Sequence, residues 1–489
     1  MLTGRLSQKT SVAAVYVLAM FMSIMDATIV NVALPRLGRQ FGVPAAHVDT
    51  VVVAYLVSLA VFMPASGWLG DRFGTKRVLL AALVIFTGAS ALCGAAQDLA
   101  QLVLFRVVQG VGGGMLAPVG LAMLFRVFPP AERVRAARIL IVPTALAPAI
   151  GPVLGGLLVT DLSWRWVFYV NVPIGVAGLL FGLLFLREQR SGKTDRFDLP
   201  GFLLSGVGLG ALMYALSEGA AKGWTSPGIV AAAVAGLAAL AALVRVELRA
   251  GEPMLDLRLL GNRLFRTTTG TLIVSTAAFL GSLFLVALFY QDGFGVSALQ
   301  SGLSTFPEAL GIMAGSQLAG RLYARYGPRR LMTTGLIGVA ATLALIAAVP
   351  FSASLWQMRG YMLLLGLCQA HVFIPAQAAA FATVSPAATG RASTMFNAGR
   401  QLGGAAGVAV LSTVISAIGV SHHVGGVARP DAAGYHAGFL AAAGIALAGA
   451  VWATAINDAD AAPTMRAKAG QRPRRLGGDL APRPAGHDG

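Results

Sequence analysis

The sequence predicts an all-α integral membrane protein with fourteen transmembrane helices and both termini in the cytoplasm. Three observations carry that expectation. Of 489 residues, 56% are hydrophobic and 12% charged, where a soluble domain carries roughly 25% charged residues. That is too few polar side chains to cover a folded surface, which excludes a soluble enzyme. Fourteen stretches are long and apolar enough to cross a bilayer, which takes about 20 residues because ~30 Å of hydrocarbon is crossed at ~1.5 Å per residue. Finally, the cations are segregated. Of 37 Lys and Arg, 29 fall in one alternating set of loops and the two tails, including Arg72, Lys76, Arg77, Arg133, Arg135, Arg138, Arg187, Arg325, Arg329 and Arg330. The opposite loops hold Arg36, Arg39, Arg165, Lys222 and Arg429. Positive residues mark the cytoplasmic side, so the number of crossings is even. The net charge of +17 then reads as topology, not as a nucleic-acid footprint.

In chain order, the first span (12–34) is too long for the apolar region of a cleaved signal and runs into Pro35-Arg36 instead of a small-residue site. It carries Asp26 and Asn31. The second (51–69) ends in the turn Gly67 to Arg77, where Gly74 permits the bend, and the third (78–96) follows. The fourth (102–125) holds Arg106, Gln109 and a packing face from Gly110 to Gly114. In the fifth (139–160), Ala147, Gly151 and Gly155 recur every four residues, a small face for close helix approach; Pro148 and Pro152 add backbone distortion. The sixth (167–186) contains Asn171. In the seventh (199–216), Gly206-Val-Gly-Leu-Gly210 lacks a βαβ context and reads as packing; the eighth is 228–246. The ninth (267–290) ends at Tyr290, the tenth (301–318) holds Glu308, and the eleventh is 331–350. The twelfth (357–381) holds Arg359, His371 and Gln377, and the thirteenth (394–418) holds Asn397, Arg400 and a small-residue face from Leu402 to Gly407. The fourteenth is 435–456. His422-His423, in an outer loop without further ligands, reads as solvated. The segment 458–489, rich in Pro, Gly and Arg, reads as a disordered tail.

Two signals mislead. Ser191-Gly-Lys-Thr194 looks like the end of a phosphate-binding loop, but Arg187 stands where the first Gly belongs and a membrane helix precedes it. Cys93 and Cys368 lie far apart in apolar runs and show neither a disulfide framework nor metal-ligand spacing.

The chain repeats itself. Gly67-Trp-Leu-Gly-Asp-Arg-Phe-Gly-Thr-Lys-Arg77 aligns with Gly320-Arg-Leu-Tyr-Ala-Arg-Tyr-Gly-Pro-Arg-Arg330 at an offset of 253 residues, and Arg106 and Arg359 share that offset. Coincident offsets indicate a duplicated bundle. Duplicated halves with a site between them are the architecture of secondary transporters. The expected division is an N-terminal segment (1–11), a six-helix bundle (12–196), two unmatched helices (197–250), a second bundle (251–457) and the tail.

These motifs match a known family. Met25-Asp-Ala-Thr-Ile-Val-Asn-Val-Ala-Leu-Pro35, the Gly67–Arg77 turn, Arg106-Val-Val-Gln-Gly110, Gly151-Pro-Val-Leu-Gly-Gly156 and Trp164-Arg-Trp-Val-Phe-Tyr-Val-Asn-Val-Pro173 together resemble the fourteen-helix drug:proton antiporters of the major facilitator superfamily, the EmrB/QacA type. The sequence departs from that pattern at Thr50, where the family often has Trp, at Ala147, where its antiporter motif begins with Gly, and at Ala324, which replaces the counterpart of Asp71. The resemblance implies proton-driven export by alternating access, with no cofactor beyond the proton gradient. It implies that Arg106 serves proton transfer. It gives Gly67, Asp71, Arg72, Gly74 and Arg77 the role of a conformational latch. The face formed by Gly151, Pro152, Gly155 and Gly156 becomes a contact that bars proton leak, although helix packing alone also explains it.

Of 20 acidic residues, Asp26 and Glu308 lie well inside spans. A carboxylate in hydrocarbon costs about 2.5–3.5 kcal/mol even on a lenient scale, so each is a candidate proton-coupling group facing a cavity. Asp26 lies about 12 Å and Glu308 about 10 Å from the outer surface, from ~1.5 Å per residue. Arg106 cannot lose its charge at ordinary pH, and Asp26 is its natural counter-ion, in a coupling or a purely structural role. Glu308 couples protons or serves as a substrate counter-charge. Arg359 either serves Glu308 in the same way or snorkels from a helix end. Asn31, Gln109, Tyr290, His371 and Asn397 are candidate cavity-lining groups, with Asn171 and Gln377 nearby in kind.

The expected activity is proton-coupled export of amphiphilic drugs, cations among them, across the cytoplasmic (inner) membrane, conferring antibiotic resistance. Its partners are small molecules, protons and lipid; an adaptor protein has no signature here. A dedicated exporter of one metabolite or antibiotic would share every motif. A proton symporter would not carry the antiporter motif. A membrane-embedded enzyme would show catalytic groups clustered at one interface, and no such cluster or metal motif is present.

Overall fold

Stretches of apolar residues that must satisfy their own backbone in lipid can do so as helices, and helices dominate the computed structural model. It describes residues 7–43, 48–189, 196–251, 253–419, 421–424 and 427–465. The Ser191–Thr194 motif and most of the tail lie outside the described residues. The helices are α1 Gln8–Phe41, α2 Thr50–Phe62, α3 Ala65–Phe73, α4 Thr75–Ala95, α5 Leu99–Val127, α6 Arg133–Leu157, the short α7 Trp166–Tyr169, α8 Asn171–Phe185, α9 Leu199–Lys222, α10 Pro227–Arg249, α11 Arg263–Leu288, α12 Ala298–Ala347, α13 Leu355–Ala380, α14 Thr389–Ile418 and α15 Ala432–Ala453. Twelve helices among the described residues are each long and apolar enough to cross a membrane, and α2 and α3 form a further pair bent by 54°. The 50 residues of α12 are interrupted at Gly327, whose φ of 75° and ψ of 171° are not helical.

One feature departs from an all-helical chain. Ser421–Val424 and Val427–Pro430 pair as an antiparallel hairpin, β1 and β2, with His422 opposite Arg429 and His423 opposite Ala428. The His-His pair therefore lies on a strand.

Helices α1 to α8 pack on one another, as do α11 to α15, while α9 and α10 pair together and α9 bridges α2 and α14. Glycines set the closest approaches. A Cβ at Gly110 or Gly114 would strike the α2 backbone at 2.7 and 2.5 Å, and one at Gly403 would strike the Ile273 carbonyl of α11 at 2.5 Å. Gly206 and Gly210 seat α9 on Val61.

The repeat is visible in backbone and side chain. Gly74 ends α3 with φ 97° and ψ 140°, a conformation that favours glycine, and Gly327 holds the equivalent place 253 residues later. Each has an acid beside it. The Glu188 carboxylate accepts the backbone N–H groups of Lys76 (2.9 Å) and Arg77 (3.2 Å), and Asp458 accepts that of Arg329 (2.8 Å). Anions at helix N-termini satisfy orphan donors and oppose the helix dipole. The two halves thus share a device that neither copy of the turn motif contains.

Candidate functional site

The centre of the first bundle is a closed polar network in an apolar surround. Asp26 on α1 and Arg106 on α5 are both fully buried. Arg106 Nη1 donates to Asp26 Oδ2 at 2.5 Å, and Gln109 Nε2 and Asn171 Nδ2 donate to Oδ1 at 2.9 Å each. Arg106 also donates to Gln109 Oε1 (2.8 Å) and to the Val51 carbonyl (3.1 Å), and its guanidinium carbon lies 4.2 Å from the Tyr55 ring centroid. Asn171 reaches Ser90 Oγ at 3.1 Å. Helices α5 and α8 thus meet on the carboxylate of α1, and α4 joins the network through Ser90. Breaking such a pair strands the remaining charge, at a cost of about 3–5 kcal/mol. Arg106 Nη2 and Asn171 Oδ1 are enclosed without hydrogen-bond partners among the described residues.

This arrangement corrects two expectations. Asp26 does not face an open cavity in this conformation, and Gln109 lies within the network instead of lining one. The reason is geometric: position 26 points into its own bundle, towards α5 and α8. The sequence reading missed Tyr55 and Ser90, neutral groups of kinds that occur throughout the chain.

Glu308 on α12 is buried, and its Oε1 has no hydrogen-bond partner among the described residues. Arg359 forms no ion pair with it there; its guanidinium instead lies 4.5 Å from the Trp356 ring centroid. The second half therefore repeats the arginine but not the ion pair. Tyr290 is fully buried with its hydroxyl on the Ser304 carbonyl (3.4 Å), and Asn397 is buried with its amide on the Ser393 carbonyl (2.9 Å), so neither lines an open cavity. Asn31 is exposed, and His371 is half-buried with Nδ1 on the Leu367 carbonyl at 2.8 Å. Gln377 is half-buried with its Oε1 enclosed and unpartnered.

A second constellation joins the two bundles at the arginine-rich end. Asp71 accepts from Arg126 Nη2 at 2.5 Å and lies beside Gly390 in the first turn of α14. A Cβ at Gly67 would come within 3.0 Å of Thr394 Oγ1 and 3.2 Å of the Gly390 backbone, so glycine favours this close approach of α3 to α14. Ser66 and Thr394 hydroxyls meet at 3.1 Å, Ser393 donates to the Pro118 carbonyl (2.7 Å), Arg138 to Gln317 (3.2 Å), and Arg133 to the Phe381 carbonyl. The Phe125 and Phe381 rings meet with centroids 4.7 Å apart, tilted by 43°. Arg72 and Arg77 are exposed, whereas the Lys76 ammonium donates to the carbonyls of Leu183 and Leu186. The bundles are closed on each other at this end. Glu188 and Arg126 are partners that sequence reasoning missed.

The small-residue face of α6 packs on α1. A Cβ at Gly151 would strike Thr28, and one at Gly155 would lie 2.9 Å from Ile29 Cγ1 and 3.1 Å from its carbonyl. Gly156 has no atom within 4 Å of its would-be Cβ, so it takes no part in that contact. Pro152 lies within α6; its side chain is outside the described residues.

Comparison with known proteins agrees with this architecture. The Major Facilitator Superfamily profile matches residues 16–199, 200–407 and 267–484. The "Multidrug resistance protein B homolog" of Mycobacterium tuberculosis (strain CDC 1551 / Oshkosh) is 34% identical over 413 residues, covering 83% of this chain and 76% of the relative. MdtD of Salmonella heidelberg (strain SL476), a candidate multidrug resistance protein by name, is 33% identical over 413 residues, with 83% and 86% covered. The crystal structure of the human organic anion transporter MFSD10 (TETRAN) superposes with a TM-score of 0.63 at 19% identity, over 92% of this chain and 100% of that one, a likeness of fold alone. The chain belongs to the Major Facilitator Superfamily and is a multi-pass membrane transport protein, not an enzyme.

Proposed function

We propose that this protein is a proton-coupled antiporter that exports amphiphilic small molecules by alternating access across fourteen helices. Fourteen crossings are supported by the twelve long helices, counting the bent α2–α3 pair as one more and dividing α12 at Gly327 into two. At ~1.5 Å per residue its 50 residues would run ~75 Å, over twice the ~30 Å hydrocarbon layer. An even number puts both termini on one side, and the density of Arg and Lys assigns that side to the cytoplasm. The conformation described is then closed to the cytoplasm. Residues 12–196 and 251–457 act as the two moving bundles, and α9 and α10 stay beside them.

The single observation that carries coupling is the sealed Asp26–Arg106 network. A carboxylate held by one permanent cation and two amides is a two-state element: it is closed on Arg106 in this conformation and released when helix movement withdraws the arginine, and that release is the step to which proton exchange is coupled. Glu308, buried without a cation, is a second proton-exchanging group in the other bundle. The relatives named for multidrug resistance favour export of several compounds over a single metabolite. Everted vesicles test the reading. Imposing an acid interior should drive dye uptake, and a protonophore should abolish it. Uptake insensitive to the protonophore would refute coupling, and substrate-driven acidification of the opposite sign would indicate symport.

A further inference from the structure

Arg400 is a permanent cation in the middle of α14 that the coupling network does not use. Among the described residues it has no hydrogen bond, ion pair or ring partner, and it is only half-buried. Its guanidinium nitrogens are not among the enclosed unpartnered atoms, so they reach water-accessible space. The Tyr16 phenol of α1, a neutral group, commits its hydroxyl to the Ala117 carbonyl at 3.2 Å and offers Arg400 no counter-ion. At 3.6 residues per turn, Arg400 stands two turns beyond Ser393 on the same face of α14. That is the face which meets the first bundle through Pro118 and Ser66. It therefore faces the opposite bundle, roughly 10 Å past the cytoplasmic closure at ~1.5 Å per residue.

A charge within a membrane span is expensive, and residues that carry one mark substrate or ion pathways. Arg106 offsets its cost with Asp26, and Arg359 stacks on Trp356. Arg400 has no such compensation, although its planar fork of donors suits a carboxylate.

We propose that Arg400 is the anion-binding element of the substrate site, and that the preferred substrates are amphiphiles carrying a carboxylate or a similar oxyanion. The anionic group seats on Arg400 where α14 faces the first bundle, with the apolar body against the surrounding helices. This rests on the exporter reading and replaces the expectation of cationic substrates with a specific alternative.

Equilibrium binding tests it without a proton gradient, so its failure is distinguishable from failure of coupling. The full-length protein in detergent is titrated with 1-pyrenebutyrate and with its neutral counterpart 1-pyrenebutanol. The acid should bind about tenfold more tightly, the worth of a charge-assisted hydrogen bond. Arg400→Met should remove that preference, bringing the affinities of the acid and the alcohol together, and Arg400→Lys should keep part of it. The absence of a preference in the wild type, or its survival in Arg400→Met, would overturn the proposal. Adding chloride to a zwitterionic, anion-poor buffer separates a free inorganic anion: if chloride alone abolished the preference, the site would belong to that ion and the proposal would fall.

Discussion

The Arg106 guanidinium donates to the Asp26 carboxylate at 2.5 Å with both side chains sealed from solvent. A buried pair of this kind is strongly destabilising to break on one side only, by about 3–5 kcal/mol, because the orphaned charge remains. Asp26→Asn and Arg106→Met should therefore each lower the melting temperature of the purified protein, the first because the permanent Arg106 charge is left without its counter-ion. The double variant Asp26→Asn/Arg106→Met should recover part of the loss. Additive losses in the double variant would show that the two side chains do not act as a pair.

Gly74 and Gly327 predict a matched pair of backbone effects. Alanine at either position is forced into a positive-φ conformation, at about 1–3 kcal/mol, and its methyl would strike Glu188 or Asp458. Both substitutions should lower thermal stability. Glu188→Ala and Asp458→Ala should each cost about 0.5–2 kcal/mol, the worth of a helix N-terminal acceptor. Unequal penalties would mean that the two halves do not use the device alike.

Asp71 joins Arg126 to the first turn of α14. Asp71→Asn should weaken closure of the arginine-rich end. Spin labels at Ala131 and Ala324, on opposite bundles, should report a longer distance population, and cycling rate should change more than substrate affinity. A pure loss of affinity with unchanged distances would contradict the latch.

The α6–α1 contact has no room for side chains at Gly151 and Gly155. Gly155→Val should separate the helices, cost about 1–3 kcal/mol through overpacking, and raise the passive decay of a pH gradient in substrate-free proteoliposomes. Gly156→Ala should leave both unchanged, because nothing lies near it. A Gly155 variant that is stable and leak-free would reduce this face to packing of no functional consequence.

Much of the site was legible because membranes make charge conspicuous. Asp26, Arg106 and Glu308 stood out against apolar runs, and the 253-residue offset exposed the duplication before any helix was placed. What stayed hidden has physical reasons. Glu188 lies 111 residues from Arg77 in a loop crowded with charge, where an acid looks merely solvated. Gln109 and Tyr290 carry ordinary polar groups whose burial depends on helix rotation, which sequence spacing alone does not fix for a helix surrounded by protein. The β1–β2 hairpin lacks the alternation that announces a strand.

Glu308 separates two roles. Glu308→Gln should reduce export of neutral and cationic dyes equally, as loss of a proton carrier would. Selective loss of cationic dyes would make it a substrate counter-charge instead.

The most direct test of the central claim compares wild type with Asp26→Asn in proteoliposomes under an imposed pH gradient, following dye efflux and lumenal pH together. The coupling account predicts that Asp26→Asn remains folded and binds dye but loses both gradient-driven efflux and the proton movement that accompanies it. Full pH-driven efflux by Asp26→Asn would contradict the account and leave the Asp26–Arg106 pair a structural tie.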